Sequence, residues 1–320
     1  MVVNDPDDPA IWINKEKPSE SLIIGTDKPI GGGLYAFDLQ GKIIKKKSVL
    51  GMQYMNNVDI AYGLLLNGKP TDIAVATERE VFKIRVVGLP AMKLIDNGGI
   101  RVFENEKPEE SKPMGIALYK RPKDEAIFAI VSRKKGPTEG YLWQYLLSDD
   151  GNGQVKATLV RKFGKYSGKK EIESVAVDNE LGYVYYSDEQ VGVRKYYADP
   201  DLKNDDELAL FATKGFTEDN EGIGIYKVTA KTGYIVVSDQ GANKIQIFTR
   251  EGEPSNANEH HLLKTLKVSA DQTDGLELTN VAVNKQFPYG FLVSMSSKTK
   301  NFHIFDWRNI AGKELKLRKR

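Results

Sequence analysis

Short apolar runs that end in Ser or Thr recur along the whole chain. The hydroxyl residues that close these runs stand at positions 26, 77, 132, 187, 238 and 294, so successive copies are 51, 55, 55, 51 and 56 residues apart. Runs of this length, bounded by turn residues, are typical of β-strands, and a regular period of about 50 residues is typical of propeller blades. The pattern therefore predicts six copies of one β-sheet unit.

The clearest copy spans residues 217–249. Apolar strands are predicted at 223–228, 234–237 and 244–249, with turns between them, and the last strand alternates with period two. Acidic residues precede the first strand, and Ser238-Asp239-Gln240 closes the second. Because neighbouring strands run antiparallel, both groups of polar residues are expected at the same edge of the sheet.

The predicted fold is all-β: a six-bladed β-propeller with about four antiparallel strands per blade, forming one domain over residues 1–320. Fourth strands are expected at 42–49, 157–163, 208–212 and 262–268, and the first strand of the last blade at 280–283. A β-sandwich and a parallel β-helix are the alternative arrangements for so many short strands.

The composition limits which partners and which kinds of site the chain can have. The chain of 320 residues has 46 Lys and Arg against 44 Asp and Glu, so its net charge does not favour nucleic acid or a membrane surface as a partner. It has no cysteine and only three histidines. Disulfides, thiolate zinc sites and cysteine nucleophiles are excluded, and no apolar run is long enough to span a bilayer.

In a propeller the first strand of every blade lines the central channel, and all enter from one face. The residues before each first strand and after each second strand share that face. Its acidic side comprises Asp7, Asp8, Glu171, Glu173, Asp188, Glu189, Asp219, Glu221, Asp239, Asp271 and Asp274. Converging carboxylates repel one another, and hard cations resolve this; all-oxygen ligands suit Ca²⁺ best, and Mg²⁺ or Mn²⁺ less well.

Basic residues occupy equivalent positions in three consecutive blades: Lys28, Arg79 and Lys134. Together with bound cations, these residues would form a binding site for a multiply charged anion, most simply phosphate. Ions would neutralise the phosphoryl oxygens and activate a water molecule for in-line attack, with no covalent intermediate, since no Ser or Thr has a plausible His partner. The alternative is that the basic residues are counterions of the acids, and that Asn56, Asp188, Asp239 and Asp271 are turn residues.

Five motifs also carry a family resemblance. In chain order they resemble the β-propeller phytases, the calcium-dependent alkaline phytases of bacilli, and the likeness covers nearly the whole chain. The motifs are Asp7-Asp8-Pro9-Ala10-Ile11-Trp12, Asn56-Asn57-Val58-Asp59, Glu171-Ile172-Glu173, Glu221-Gly222 and Thr273-Asp274-Gly275. The most specific part of the resemblance is the first of these motifs followed by the second about 45 residues later.

The resemblance implies roles for individual residues. Lys28, Arg79 and Lys134 fall where the family binds substrate phosphate. Asp8 and the backbone oxygens of Pro9 and Val58 match a structural calcium that ties the first two blades together. The active-site calcium ligands implied by the family are Asp7, Glu173, Glu189, Asp219, Glu221 and Asp274. Of the residues named, Glu173, Asp219, Glu221, Lys28, Arg79 and Lys134 are those expected to act in catalysis.

The chain departs from the family pattern at three places. Pro29 stands where the family commonly has a second lysine, and Met114 stands where it has a tyrosine that contacts phosphate. Each change removes a phosphate contact worth about 1–3 kcal/mol. The last blade also lacks the acidic loop that holds another structural calcium in the family, which concerns thermostability and not the chemistry.

Two functions follow as expectations. The first is a secreted, monomeric, calcium-dependent phosphomonoesterase of the 3-phytase type, with several Ca²⁺ ions and phytate or another small phosphate ester as substrate, located outside the cell or in the periplasm. The second is a phytase-like propeller that binds a phosphorylated or polyanionic ligand with little turnover. A calcium-dependent sugar lactonase fits less well, because such sites have no basic cluster.

Overall fold

The period of the hydroxyl residues corresponds to six antiparallel sheets in the computed structural model, which describes residues 4–318. The sheets form the predicted six-bladed β-propeller, with about four strands in each blade. Residues 1–3 and 319–320 of the predicted domain lie outside the described residues. None of the helices described between residues 4 and 318 is long and apolar enough to cross a membrane.

The first two blades take up the N-terminal third of the chain. Blade 1 consists of β1 (Pro6–Trp12), β2 (Leu22–Asp27), β3 (Gly32–Phe37) and β4 (Val49–Met52). Blade 2 consists of β5 (Met55–Leu66), β6 (Lys69–Glu78), β7 (Lys83–Leu89), β8 (Lys93–Leu94) and β9 (Ile100–Arg101); β8 and β9 both pair with β7.

The next three blades have four strands each. Blade 3 contains β10 (Pro113–Lys120), β11 (Ile127–Arg133), β12 (Glu139–Asp149) and β13 (Val155–Lys165). Blade 4 contains β14 (Val175–Asp178), β15 (Tyr183–Asp188), β16 (Gly192–Tyr197) and β17 (Ala209–Phe211). Blade 5 contains β18 (Asn220–Lys227), β19 (Gly233–Asp239), β20 (Lys244–Thr249) and β21 (Leu262–Lys267).

Blade 6 differs from the expectation in two ways. Its strands are β22 (Leu276–Thr279), β23 (Phe291–Ser296) and β24 (Asn301–Asp306), so the first strand lies at 276–279 and the prediction of 280–283 was wrong. A short helix, α1 (Trp307–Ala311), follows β24 at the place where a fourth strand would otherwise come. Trp307 stacks on Tyr226 of blade 5 with ring centroids 3.8 Å apart, so this helix packs between the last two blades.

Short 3-10 turns join several strands. They cover Pro18–Glu20, Lys45–Lys47, Arg79–Val81, Pro108–Glu110, Pro200–Leu202 and Gln240–Ala242. Arg79 and Gln240 each begin a turn of this kind directly after the second strand of their blade, at the face predicted to carry the site.

The core is divided into six apolar clusters, each of which joins two neighbouring blades. The cluster that closes the ring packs Ile11 and Ile23 of blade 1 against Phe291 and Val293 of blade 6. Period-two strands bury one face against each neighbour, which explains why apolar side chains occur on both faces of the middle strands. Burial between blades therefore holds the ring together.

The recurring Ser and Thr residues connect successive blades. Thr77 donates from its Oγ1 to the backbone oxygen of Met114 at 2.6 Å, and Ser132 donates to Ile172 O at 2.6 Å. Ser187 and Ser238 make the same type of bond to the next blade, at 2.7 and 3.0 Å. These hydroxyls are fully buried. A small donor at this position pairs a buried carbonyl of the adjacent blade that would otherwise lack a partner.

Candidate active site

β-Bulges direct side chains to the face where the first strands begin. The pairing of the first two strands shifts by one residue between Pro6 and Pro9, and equivalent shifts occur in blades 2, 3 and 5. Such bulges re-aim side chains at the rims of sheets. The residues inside the four bulges are Asp7 and Asp8, Asn56 and Asn57, Met114 and Gly115, and Glu221 and Gly222.

Asp7 lies at the centre of the first half of the site. Lys28 donates to Asp7 Oδ1 at 3.0 Å and to Asp274 Oδ2 of blade 6 at 3.3 Å. The amide of Asn56 donates to Asp7 Oδ2 at 2.8 Å and to Glu173 Oε1 of blade 4 at 3.2 Å. Acids from three blades are thus linked by one lysine and one amide.

Gln240 joins this group to the second half of the site. Its Nε2 donates to Asp274 Oδ1 at 2.5 Å and to Glu221 Oε2 at 3.1 Å. The six carboxylates that were predicted to bind the active-site calcium ions therefore form one continuous network, together with the donors that connect them. Its acids are Asp7, Glu173, Glu189, Asp219, Glu221 and Asp274.

Glu189, Asp219 and Glu221 form the tightest cluster of the network. One oxygen of each lies within 4.8 Å of the others, and all three residues are buried. Glu189 Oε1 and Asp219 Oδ1 are buried and have no hydrogen-bond partner within residues 4–318. Oxygen atoms that are left unpaired in a buried site are costly unless something binds them. An all-oxygen set of this kind suits Ca²⁺, so the residues fit the predicted cation.

The pKa values reflect this crowding. Desolvation raises the pKa of Glu173 well above its usual range, and the neighbouring carboxylates of Asp7 and Asp274 add to the shift. Burial also raises the pKa of Glu221 well above its usual range and that of Glu189 to about 7. Burial opposes protonation of Lys28, but the carboxylates of Asp7 and Asp274 outweigh it and raise its pKa. A divalent ion would relieve the repulsion that these shifts report.

The basic residues do not form a separate side of the face. Lys28 lies inside the acidic network, and Lys134 pairs with both oxygens of Glu171 at 2.8 and 3.0 Å. Arg79 is buried, stacks over the ring of Tyr54 at 4.5 Å and donates to the sulfur of Met114. In this arrangement Lys28 and Lys134 are counterions of acids, which was the alternative reading of their position.

Several acids of the face hold loops in place. Asp188 Oδ2 accepts from the backbone of Ser167 at 2.9 Å, and Asp239 Oδ1 accepts from Thr217 N at 3.0 Å. Asp27 accepts from Asp5 N in the same way, at 2.7 Å. In each of these blades the acid that follows the hydroxyl residue fixes the segment leading into the first strand. Asp188, Asp239 and, through Ser296, Asp271 therefore fix loops by hydrogen bonds, whereas Asn56 contacts acids of the site.

Two residues of the site were missed from the sequence. Gln240 follows Asp239 directly, and Lys170 precedes Glu173 by three residues, so both stand at the strand ends that define the face. The ammonium of Lys170 contacts Asp219 Oδ2, lies 3.2 Å from Glu189 Oε2 and lies 3.9 Å from Glu221 Oε1. Their position beside first and second strands was the available signal.

The predicted structural calcium ligands also lie together. Asp8, Pro9 and Val58 line a cavity of about 140 Å³ in the central channel, with residues from the first strands of all six blades. The backbone amide of Val58 donates to Asp8 Oδ2 at 3.0 Å. Burial raises the pKa of Asp8 well above its usual range, and this hydrogen bond opposes the shift only in part. A cation beside Asp8 would stabilise its charged form.

Comparison with known proteins gives a consistent result. The family model described as phytase matches residues 3–317. The chain is 30% identical over 321 residues to a protein of Bacillus subtilis (strain 168) named 3-phytase, and the match covers 95% of this chain and 80% of that protein.

Solved structures share the fold at much lower identity. Hydrazine synthase of Kuenenia stuttgartiensis has a TM-score of 0.54 at 10% identity, covering 93% of this chain and 83% of that one. A luciferin-regenerating enzyme has a TM-score of 0.53 at 14% identity, covering 95% and 91% respectively. The β-propeller domain of Myceliophteria thermophila Cps50 (Swd1) has a TM-score of 0.51 at 11% identity, covering 94% and 83%.

Proposed function

Because the chain belongs to the phytase family, we propose that it is a calcium-dependent phosphomonoesterase that acts on phytate or a related inositol phosphate, as a 3-phytase does. The 30% identity to a 3-phytase along nearly the whole chain supports a phytate-hydrolysing phosphatase. The calcium requirement and the roles of individual residues are the further parts of the proposal.

One observation carries the calcium requirement. Glu189, Asp219 and Glu221 come from two blades and converge within 4.8 Å, and two of their buried oxygens have no partner. Asp7, Glu173 and Asp274 extend the same surface. Without cations, this negatively charged surface would repel a phosphate ester. With several calcium ions bound, the same surface would attract a phosphate ester. The same carboxylates are therefore proposed as the calcium ligands.

The protein's own residues position the substrate. Calcium, when bound, supplies positive charge to the phosphoryl oxygens and lowers the pKa of water. With cations held by the acids, the ammonium of Lys28 would be available to contact a phosphate, and Lys134 would exchange Glu171 for the same type of ligand. Arg79 offers a planar guanidinium to the phosphoryl group. Asn56 and Gln240 keep the carboxylates in fixed orientations.

We also propose a structural calcium site, an oligomeric state and a cellular location. Asp8 with the backbone oxygens of Pro9 and Val58 is proposed to hold a structural calcium between the first two blades. The protein is proposed to act as a monomer on a small phosphorylated substrate, without nucleic acid or a membrane as a partner, and to work outside the cell or in the periplasm. Calcium concentrations there suit sites of modest affinity.

A pair of isosteric variants tests the proposed role of the acidic network. Glu173→Gln removes one charge from the centre of the network, whereas Glu109→Gln removes one charge from an exposed position in a 3-10 turn. We expect phosphate release from phytate to fall by about a hundredfold or more in Glu173→Gln and to stay at the wild-type level in Glu109→Gln. Equal activity in both variants would rule out the network as the reaction site.

A second candidate function is a propeller that binds a polyanion with little turnover. It is favoured by Met114, which is fully buried and whose sulfur accepts from Nη2 of Arg79. The family has a tyrosine that contacts phosphate at the position of Met114. Met114→Tyr distinguishes the two functions. A competent enzyme would change by less than about threefold, because its phosphate contacts are already sufficient, whereas a binding protein would gain turnover by more than about tenfold.

A further inference from the structure

Lys170 occupies the space between the three clustered carboxylates. Its ammonium contacts Asp219 Oδ2 and lies 3.2 Å from Glu189 Oε2 and 3.9 Å from Glu221 Oε1. Glu189, Asp219 and Glu221 are 1%, 5% and 4% exposed, respectively, whereas the side chain of Lys170 is 37% exposed. A partly exposed charge thus reaches into a buried acidic pocket.

Lys170 does not pair with every carboxylate oxygen of this pocket. Glu189 Oε1 and Asp219 Oδ1 remain buried without a partner, although each residue has its other oxygen beside the ammonium. An ammonium has three donors at fixed angles and one unit of charge, whereas a calcium ion accepts six to eight oxygens with flexible geometry. The unpaired oxygens therefore point to a ligand with a larger coordination capacity than the lysine.

An alternative place for the lysine lies next to the pocket. Lys170 also lines a neighbouring open cavity of about 380 Å³, which is lined by Lys134, Lys135 and Lys169 as well. The segment that carries Lys170 connects β13 to β14 and contains Gly168, whose φ of 76° is in the left-handed region. Because Lys170 stands on this loop and its flexible side chain is 37% exposed, its head can turn from the acidic pocket to solvent without any strand being moved.

We propose that Lys170 is a tethered cation that competes with calcium for Glu189, Asp219 and Glu221. The proposal rests on the proposed function, because it concerns the same carboxylates. An ammonium and a calcium ion cannot fill one space, so the ion must displace the lysine. Lys170 stabilises the acidic pocket while calcium is absent, and it raises the calcium concentration at which the pocket fills.

Calorimetric titration of the chelator-treated full chain with CaCl₂ tests the competition. Asp219→Asn first identifies which binding step belongs to the pocket, because that step should be lost. Lys170→Met removes the competing ammonium but keeps the length of the side chain. Lys169→Met is the matched control, since it removes the same charge from an exposed neighbour that lines the same cavity without contacting the three acids.

We expect Lys170→Met to bind calcium at this step about tenfold more tightly than the wild type, the equivalent of one partly buried ion pair, and Lys169→Met to change by less than about twofold. Equal affinities in the wild type and Lys170→Met, or weaker binding in Lys170→Met, would overturn the competition and leave the proposed function intact.

Two other outcomes separate the proposals further. If Lys170→Met binds calcium at this step and the wild type does not, the lysine fills the pocket permanently. This result would support the competition and would contradict the calcium requirement of the proposed function. No calcium binding by the wild type or by Lys170→Met would overturn both. A shift of equal size in Lys169→Met would mean that net charge and not occupancy sets the affinity, and would also overturn the competition.

Discussion

Arg79 faces Met114 across the boundary between blades 2 and 3, with Nη2 2.6 Å from the sulfur atom. Arg79 is 7% exposed, and its Nε is buried without a hydrogen-bond partner among the described residues. Within residues 4–318 Arg79 makes no ion pair, in contrast to Lys28 and Lys134, which pair with acids. A thioether is a weak acceptor, so the charge of Arg79 is poorly compensated and remains available to an anionic ligand.

Arg79→Lys should therefore weaken substrate binding although it keeps the charge. A lysine cannot present two parallel donors to a phosphoryl group. We expect the KM for phytate to rise by about tenfold, with kcat less affected. Steady-state kinetics measure this, and Arg101→Lys on the exposed strand β9 is the control. An unchanged KM in Arg79→Lys would remove Arg79 from the phosphate site.

Thr77→Val tests the hydroxyl bonds between blades. Thr77 Oγ1 donates to Met114 O at 2.6 Å and accepts from Asn57 N at 3.2 Å, and valine has nearly the same shape. The substitution leaves two buried backbone groups unpaired and should lower the free energy of unfolding by about 1–3 kcal/mol. Urea denaturation measures it. Thr71→Val, at an intermediate position in the same strand, should cost less than about 0.5 kcal/mol.

Glu277 in the central channel should make stability depend on pH. Burial raises its pKa from the ordinary value of 4.5 to about 8. The folded protein therefore keeps a proton that the unfolded chain has lost, and the free energy of unfolding falls as pH rises from about 4.5 to about 8.

Glu277→Gln removes this contribution. In chelator, the loss of unfolding free energy between about pH 5.5 and about pH 7.5 should be about 2 kcal/mol smaller in Glu277→Gln than in the wild type. Urea denaturation at the two pH values measures the difference. The exposed Glu16→Gln is the control and should behave as the wild type. Identical pH dependence in wild type and Glu277→Gln would mean that Glu277 does not titrate in this range.

The fold was predictable because a buried hydroxyl at the end of the second strand recurs at a regular period. In blades 2 to 5 this Ser or Thr pairs a carbonyl of the next blade, as at Ser132 and Ser187. The hydroxyl residues set the period that identified six blades. In blade 6, Leu276 begins the first strand two residues after the site residue Asp274, and the apolar pattern at 280–283 was misleading.

The site was predictable only in part. Asp7, Glu221 and Asp274 carry motifs and converge as expected. Lys170 and Gln240 carry no motif, and their roles depend on side chains that come from other blades. Equally, nothing in the sequence separates a loop-fixing acid such as Asp239 from a site acid such as Asp219. The difference lies in their partners in the folded chain: Asp239 accepts from Thr217 N, whereas Asp219 lies beside Glu189 and Glu221.

The most direct test of the account is phosphate release from phytate by the full chain, measured with calcium, after calcium is removed by excess chelator, and after calcium is added back. We expect release in calcium, a loss of at least about a hundredfold in chelator, and recovery when calcium is restored. Release that continues undiminished in chelator would contradict it.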